Sequence, residues 1–148
     1  MEHRTREALA LLILRVGCAW FIFVWAVNKF LAGPQYQQLM KAIDKVDVGL
    51  TTVYIIAGIQ VVVCLLVFVG WARVVSYGAL FLMHAFTVYR QWPQFIDPFA
   101  VNEHGFPVNR NVVISLTALA AMAALWLLRH RDHWSLDVVL RKARDSAN

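Results

Sequence analysis

The stretch ALALLILRVGCAWFIFVWAVNKF, residues 8–30, decides what solvent this chain folds in. A bilayer core about 30 Å thick is crossed by ~20 consecutive apolar residues in a helix, and this run meets that length. A helix of a soluble bundle needs a polar face, and between residues 11 and 30 only Arg15, Asn28 and Lys29 are available to make one. Three further apolar stretches follow at 50–70, 74–89 and 112–128. The last two are short by strict count and gain length from flanking residues that favour the interface. The expected fold is therefore all-α: an integral membrane four-helix bundle, one domain filling residues 1–148.

Composition points the same way. Hydrophobic residues make up 60% of the chain and charged residues 16%, against roughly 45–50% and about 25% in a soluble domain. The run at 8–30 is too long for a secretory signal, and no A-x-A-like cleavage site follows it, so the first helix is expected to stay. An even number of spans puts both termini on one side. Arg4, Arg6, Arg73, Arg129, Arg131, Arg141, Lys142 and Arg144 share that side, and Lys29, Lys41, Lys45, Arg90 and Arg110 lie on the other. The side richer in Lys and Arg faces the cytoplasm, which predicts a multi-pass protein of the inner (plasma) membrane with cytoplasmic ends. Topology and a basic tail at anionic headgroups account for the net charge of +5, and no nucleic-acid partner is needed.

The connections carry their own signals. Gly33-Pro34 breaks the first helix, and residues 35–47, with Leu39, Met40, Ile43 and Val46 among polar neighbours, read as a short amphipathic helix on the membrane surface. Gly70-Trp71-Ala72-Arg73 allows only a tight turn. The connection at 91–110 is rich in aromatics and proline, which predicts an ordered cap over the outer end of the bundle. In the tail, residues 129–148, Ser135 is placed to cap a helix over 136–144, with Asp137 in its first turn.

Polar groups inside a span face the bundle interior or a cavity. Arg15, Gln60 and His84 are such groups. Arg15 either snorkels to the headgroups or points inward. His84 shares a helical face with Arg73, Tyr77, Leu80, Thr87 and Gln91, and either bonds a neighbouring helix or, with Gln60, lines a pocket for a quinone, another polar-headed lipid or a proton. Lys29 and Arg90 at the outer end serve as interfacial anchors or as the mouth of that pocket, binding an anionic group or a carbonyl. Cys18 and Cys64 form no C-x-x-C pair and read as packing residues. His84 is the single histidine within the spans, so the chain has no two-histidine haem motif, and Asp132 and His133 alone make no metal site.

Arg15-x-Gly17 in the first helix, Asn28-Lys29-Phe30 at its outer end, Asn111 opening the fourth, and Trp134-Ser135-Leu136-Asp137 after it follow one another in an order that resembles the DoxX-like membrane proteins, relatives of the small subunit of thiosulfate:quinone oxidoreductase. Ala26 stands where that family often has glycine before its lysine. The resemblance implies a four-helix frame and a place beside redox enzymes, and the sequence is accordingly read as a small membrane subunit of a redox system. Its expected role is accessory or quinone-docking, with electrons supplied by a protein partner. Two other readings stay open: a non-catalytic scaffold or assembly protein, and a binder or transporter of a small lipophilic molecule. The small residues Thr117, Ala120, Ala121 and Ala124 on one face of the fourth helix leave a homo-oligomer open in each case.

Overall fold

The computed structural model describes residues 3–147, and within them every side chain except those at positions 43, 44, 110 and 111. The Ile43, Arg110 and Asn111 side chains, used in the sequence reading, therefore lie outside the described ones. The described chain is all-α. Its helices are α1 (His3–Leu31), α2 (Gly33–Asp44), α3 (Leu50–Val69), α4 (Arg73–Arg90), α5 (Trp92–Ile96), α6 (Arg110–Leu127) and α7 (Leu136–Asp145), with a 3₁₀ turn at Arg129–Arg131.

The long helices pack as a ring. α1 lies between α3 and α6, α4 also lies between α3 and α6, and α1 and α4 face each other across the diagonal. The first turns of α1, the α3–α4 turn and α7 gather at one end of the ring, the terminal end. α2 and the α5 region occupy the far end. The core is built from Leu11, Cys18, Ala19 and Ile22 of α1, Cys64 and Val67 of α3, Tyr77 and Leu80 of α4, and Met122 and Leu125 of α6. Small residues set the close approaches: Gly33 faces Tyr54, and Gly78 faces the Trp126 indole, whose Nε1–H donates to Val74 O at 3.2 Å.

Helix ends follow the local sequence. Pro34 sits in the first turn of α2, where its missing N–H costs nothing. α3 stops at Gly70, which takes a left-handed φ of 70°, and Trp71 N–H returns to Leu66 O at 3.0 Å. At 91–110, α5 is followed by a tight reversal closed by the Val101–Pro107 bridge. Ile96, Phe99, Val101, Phe106 and Val108 all remain exposed there, so the apolar groups expected to cap the bundle point outward.

Burial is inverted relative to a soluble domain. Ile13, Trp20, Ile55, Ile59, Val62, Leu65, Leu82, Phe86, Val113 and Ile114 are exposed around the outside of the ring. Arg15, Lys29, His84 and Asp132 are buried inside it. α1 and α3 are each long and apolar enough to cross a membrane, and only 33% and 22% of their apolar windows are buried within the protein. α6 contains a shorter apolar segment, Val112–Leu127.

Candidate functional site

The polar side chains of the interior fall into three groups at different heights. The largest sits at the terminal end. Arg15 is 3% exposed and Asp132 is 0% exposed. Arg15 Nη1 donates to Asp132 Oδ2 at 2.8 Å, and Arg15 Nη2 donates to Trp134 O at 3.1 Å. The Tyr77 hydroxyl donates to the same Asp132 oxygen at 2.6 Å. Ser135 Oγ donates to Asp132 O at 2.9 Å, and Arg73 Nη1 donates to both Arg129 O and Asp132 O at 2.7 Å. Every long contact in this group runs from the ring to the segment after α6, so the knot clasps the tail against the bundle.

Of the two readings of Arg15 the structure has the inward one, with its charge taken up by Asp132 and no snorkelling to the headgroups. Against expectation, Ser135 stands at the N-cap position of α7 but makes no side-chain cap there; its hydroxyl is turned to donate to Asp132 O. Asp137 caps a different helix from the one it begins: Oδ1 accepts from Ala72 N–H at 2.9 Å, and Oδ2 accepts from Arg73 N–H at 3.0 Å and Arg73 Nε at 3.2 Å. Ala72 and Arg73 open α4, whose free N–H groups favour an anion. Partial burial pushes the Asp137 carboxyl up. The two backbone donors and the Arg73 guanidinium outweigh it and hold the carboxyl below its ordinary range.

The second group is at mid-height. His84 Nε2 lies 2.8 Å from Ser115 O on α6, and the Phe21 ring meets the imidazole edge-on at 5.3 Å. A ring nitrogen facing a carbonyl is the protonated one, so His84 joins α4 to α6. Gln60 is not among its partners.

The third group is at the far end. Lys29 is 5% exposed, and its ammonium donates to Gln60 Oε1 at 2.9 Å and, more weakly, to Trp25 O at 3.4 Å. It also lies 4.7 Å from the centre of the Tyr36 ring, in cation–π range. Among the described residues no carboxylate comes within ion-pair distance of it. Burial pushes the Tyr36 phenol up, and the charge of Arg90 acts in the opposite direction. Arg90, whose guanidinium lies 5.8 Å from the Phe86 ring centre, is thus near enough to feel the same tyrosine.

Of the five residues singled out in the sequence, the structure joins Lys29 to Gln60, sets Arg90 over the Phe86 ring, and separates Arg15 and His84 into their own groups. Asp132, Tyr77 and Tyr36 were not singled out as partners. A buried arginine needs a counter-ion, which was the available signal for Asp132. Among the described residues no three of His, Cys, Asp and Glu converge as a metal centre requires, and Cys18 and Cys64 are both buried free thiols. Comparisons with protein-family models, with curated proteins and with solved structures found no match for this chain.

Proposed function

We propose that this chain is a small membrane protein whose four long helices form a membrane bundle with both termini cytoplasmic, and that it docks a quinone for a redox partner at the Lys29–Gln60 site. The membrane reading is supported by the inverted burial, with aliphatic and aromatic side chains outside the ring and Arg15, Lys29, His84 and Asp132 within it. The resemblance to DoxX-like proteins supports the redox setting.

The observation that carries the docking role is the Lys29 ammonium. A cation buried in a low-dielectric interior is costly unless paired, and among the described residues this one has a neutral amide, a carbonyl and an aromatic face as its partners. Those partners suit a neutral polar ligand. A quinone would bring two carbonyl acceptors and two-electron, two-proton chemistry. Lys29 donates to one carbonyl in place of Gln60 Oε1, Gln60 is released to donate from its amide, and the Tyr36 ring lies beside the ligand ring. The electrons come from the partner.

A decylubiquinone titration of the purified protein, read by quenching of its tryptophans, tests this. Lys29→Met is expected to weaken binding at least tenfold, and His84→Gln to leave it unchanged. Equal affinity in the wild type and Lys29→Met overturns the site. The scaffold reading is favoured by a separate observation, the clasp of the tail by Arg15, Asp132 and Tyr77. It predicts a protein partner that co-purifies whether or not Lys29 is present.

A further inference from the structure

The terminal end carries a cleft that the clasp leaves open. It has a volume of about 340 Å³ and lies between the first turns of α1 and the tail, where Arg4, His133, Trp134, Val138, Arg141 and Lys142 contribute to its walls. Both arginines and the lysine are exposed, and none of their charged groups makes a hydrogen bond or ion pair to a described residue. Three nearby acids are already engaged, Glu7 with Arg131 at 3.1 Å and His3 at 3.3 Å, Asp137 with Arg73, and Asp132 with Arg15, and Asp145, at the end of α7, does not wall the cleft.

We infer that this cleft binds the phosphate of an anionic phospholipid in the leaflet that surrounds the terminal end. The inference rests on the membrane reading of α1 and is independent of the quinone site. Two guanidinium groups and an ammonium around one concavity match a phosphate in charge and in hydrogen-bond geometry. Their height selects a lipid over a free anion. Arg4 stands one turn before the apolar run of α1 begins, where the headgroup layer meets a helix that crosses the bilayer. Trp134 lines the same cleft with its ring half-exposed, the usual position of an interfacial tryptophan. Beyond it, α7 leaves Leu136, Val139 and Leu140 exposed beside Arg141 and Lys142, an amphipathic surface that acyl chains and headgroups cover together.

The test is native mass spectrometry of the full-length protein in detergent, titrated with dioleoyl phosphatidylglycerol or dioleoyl phosphatidylcholine, beside a flotation assay with vesicles of each. Phosphatidylglycerol is expected to bind in preference to phosphatidylcholine. Removing one surface cation weakens binding of an anionic lipid about fivefold, so Arg4→Gln/Arg141→Gln/Lys142→Gln is expected to lose about 100-fold. Lys41→Gln/Lys45→Gln, which removes charge at the far end, is expected to lose none. Circular dichroism confirms that both variants are folded. Equal binding of the two lipids, or equal losses in the two variants, overturns the site. Inorganic phosphate displacing the lipid at millimolar concentration assigns the cleft to a free anion and overturns it as well. A protein that fails to float with either vesicle overturns the membrane reading itself, which separates that failure from failure of the cleft.

Discussion

Two cations on α1 are almost equally buried and are treated in opposite ways by the rest of the chain. Arg15, toward the terminal end, meets a carboxylate from 117 positions away, together with a tyrosine and a backbone carbonyl. Lys29, near the far end, meets a neutral glutamine and a tyrosine ring. The first charge is neutralised by the protein, so its energy goes into holding the tail in place. The second keeps its charge available. A buried group satisfied by its own chain reads as structure, and one given only neutral partners reads as a site. The contrast can be attacked from both ends.

The largest effect is expected at Asp132. Asp132→Ala leaves Arg15 buried without its counter-ion, which costs about 3–5 kcal/mol, and takes the acceptor from the Tyr77 hydroxyl, so that within the clasp only backbone carbonyls still hold the tail to the ring. Unfolding in detergent is expected at a much lower temperature, with tryptic cleavage opening at Arg129 and Arg131. Combining Arg15→Met with Asp132→Leu is expected to restore most of the loss, because no lone charge then stays inside. If Asp132→Ala is neutral, the clasp is not structural.

Gly70 comes next. Its φ of 70° belongs to the left-handed region, and a Cβ there would stand 2.5 Å from Arg15 Nη1 and 2.7 Å from Ser135 Cβ. Gly70→Ala is expected to cost about 1–2 kcal/mol for the backbone and about 1–3 kcal/mol for overpacking. The same melting experiment reads both. A loss below about 1 kcal/mol would mean that the tail sits less tightly on the α3–α4 turn than the clasp requires.

The helices were legible in the sequence and most of these partnerships were not. The apolar runs at 8–30, 50–70, 74–89 and 112–128 correspond to α1, α3, α4 and α6 within a few residues, because Gly33-Pro34, Gly70 and the polar flanks are strong punctuation. Gly33–Asp44 and Leu136–Asp145 likewise match the two short amphipathic segments. Which side chains meet depends on the order of helices around the ring, and no periodicity encodes that order. Gln60 was grouped with His84 by depth, but the long stem of Lys29 reaches it first. Asp132 enters the sequence reading only with His133, as a metal site, yet an acid on the terminal side is needed to balance Arg15. Asp137 was expected in its own helix and caps α4, because the tight turn brings the open N–H groups of Ala72 and Arg73 beside it.

That cap gives a smaller, pH-dependent effect. Asp137→Asn is expected to cost about 1 kcal/mol, because the amide loses the charge that faces the N-terminus of α4 and the Arg73 guanidinium. The folded carboxyl is held below the ordinary Asp value of 3.8. Its contribution is therefore complete above that value and is lost as the pH falls through the lower, folded one. The melting temperatures of wild type and variant should differ by a constant amount near neutrality and converge below pH 3.8. A difference that persists undiminished in acid would assign the effect to shape and not to charge.

The smallest expected effect on stability is at Lys29, and it is the sharpest test of the contrast. Lys29→Met keeps most of the length of the side chain and removes a buried cation that no described carboxylate balances. It also strips Gln60 Oε1 of its donor, a loss of about 1–3 kcal/mol for a buried acceptor, while relief of the desolvated charge works in the opposite direction. The net change in stability is expected within about 1 kcal/mol of zero, and Lys29→Met/Gln60→Leu is expected to be at least as stable as wild type. A loss as large as that of Asp132→Ala would show that Lys29 holds the far end together as Arg15 holds the terminal end, and the distinction between the two cations would fall. Near-neutral stability with lost quinone binding is the pattern of a group kept for a ligand.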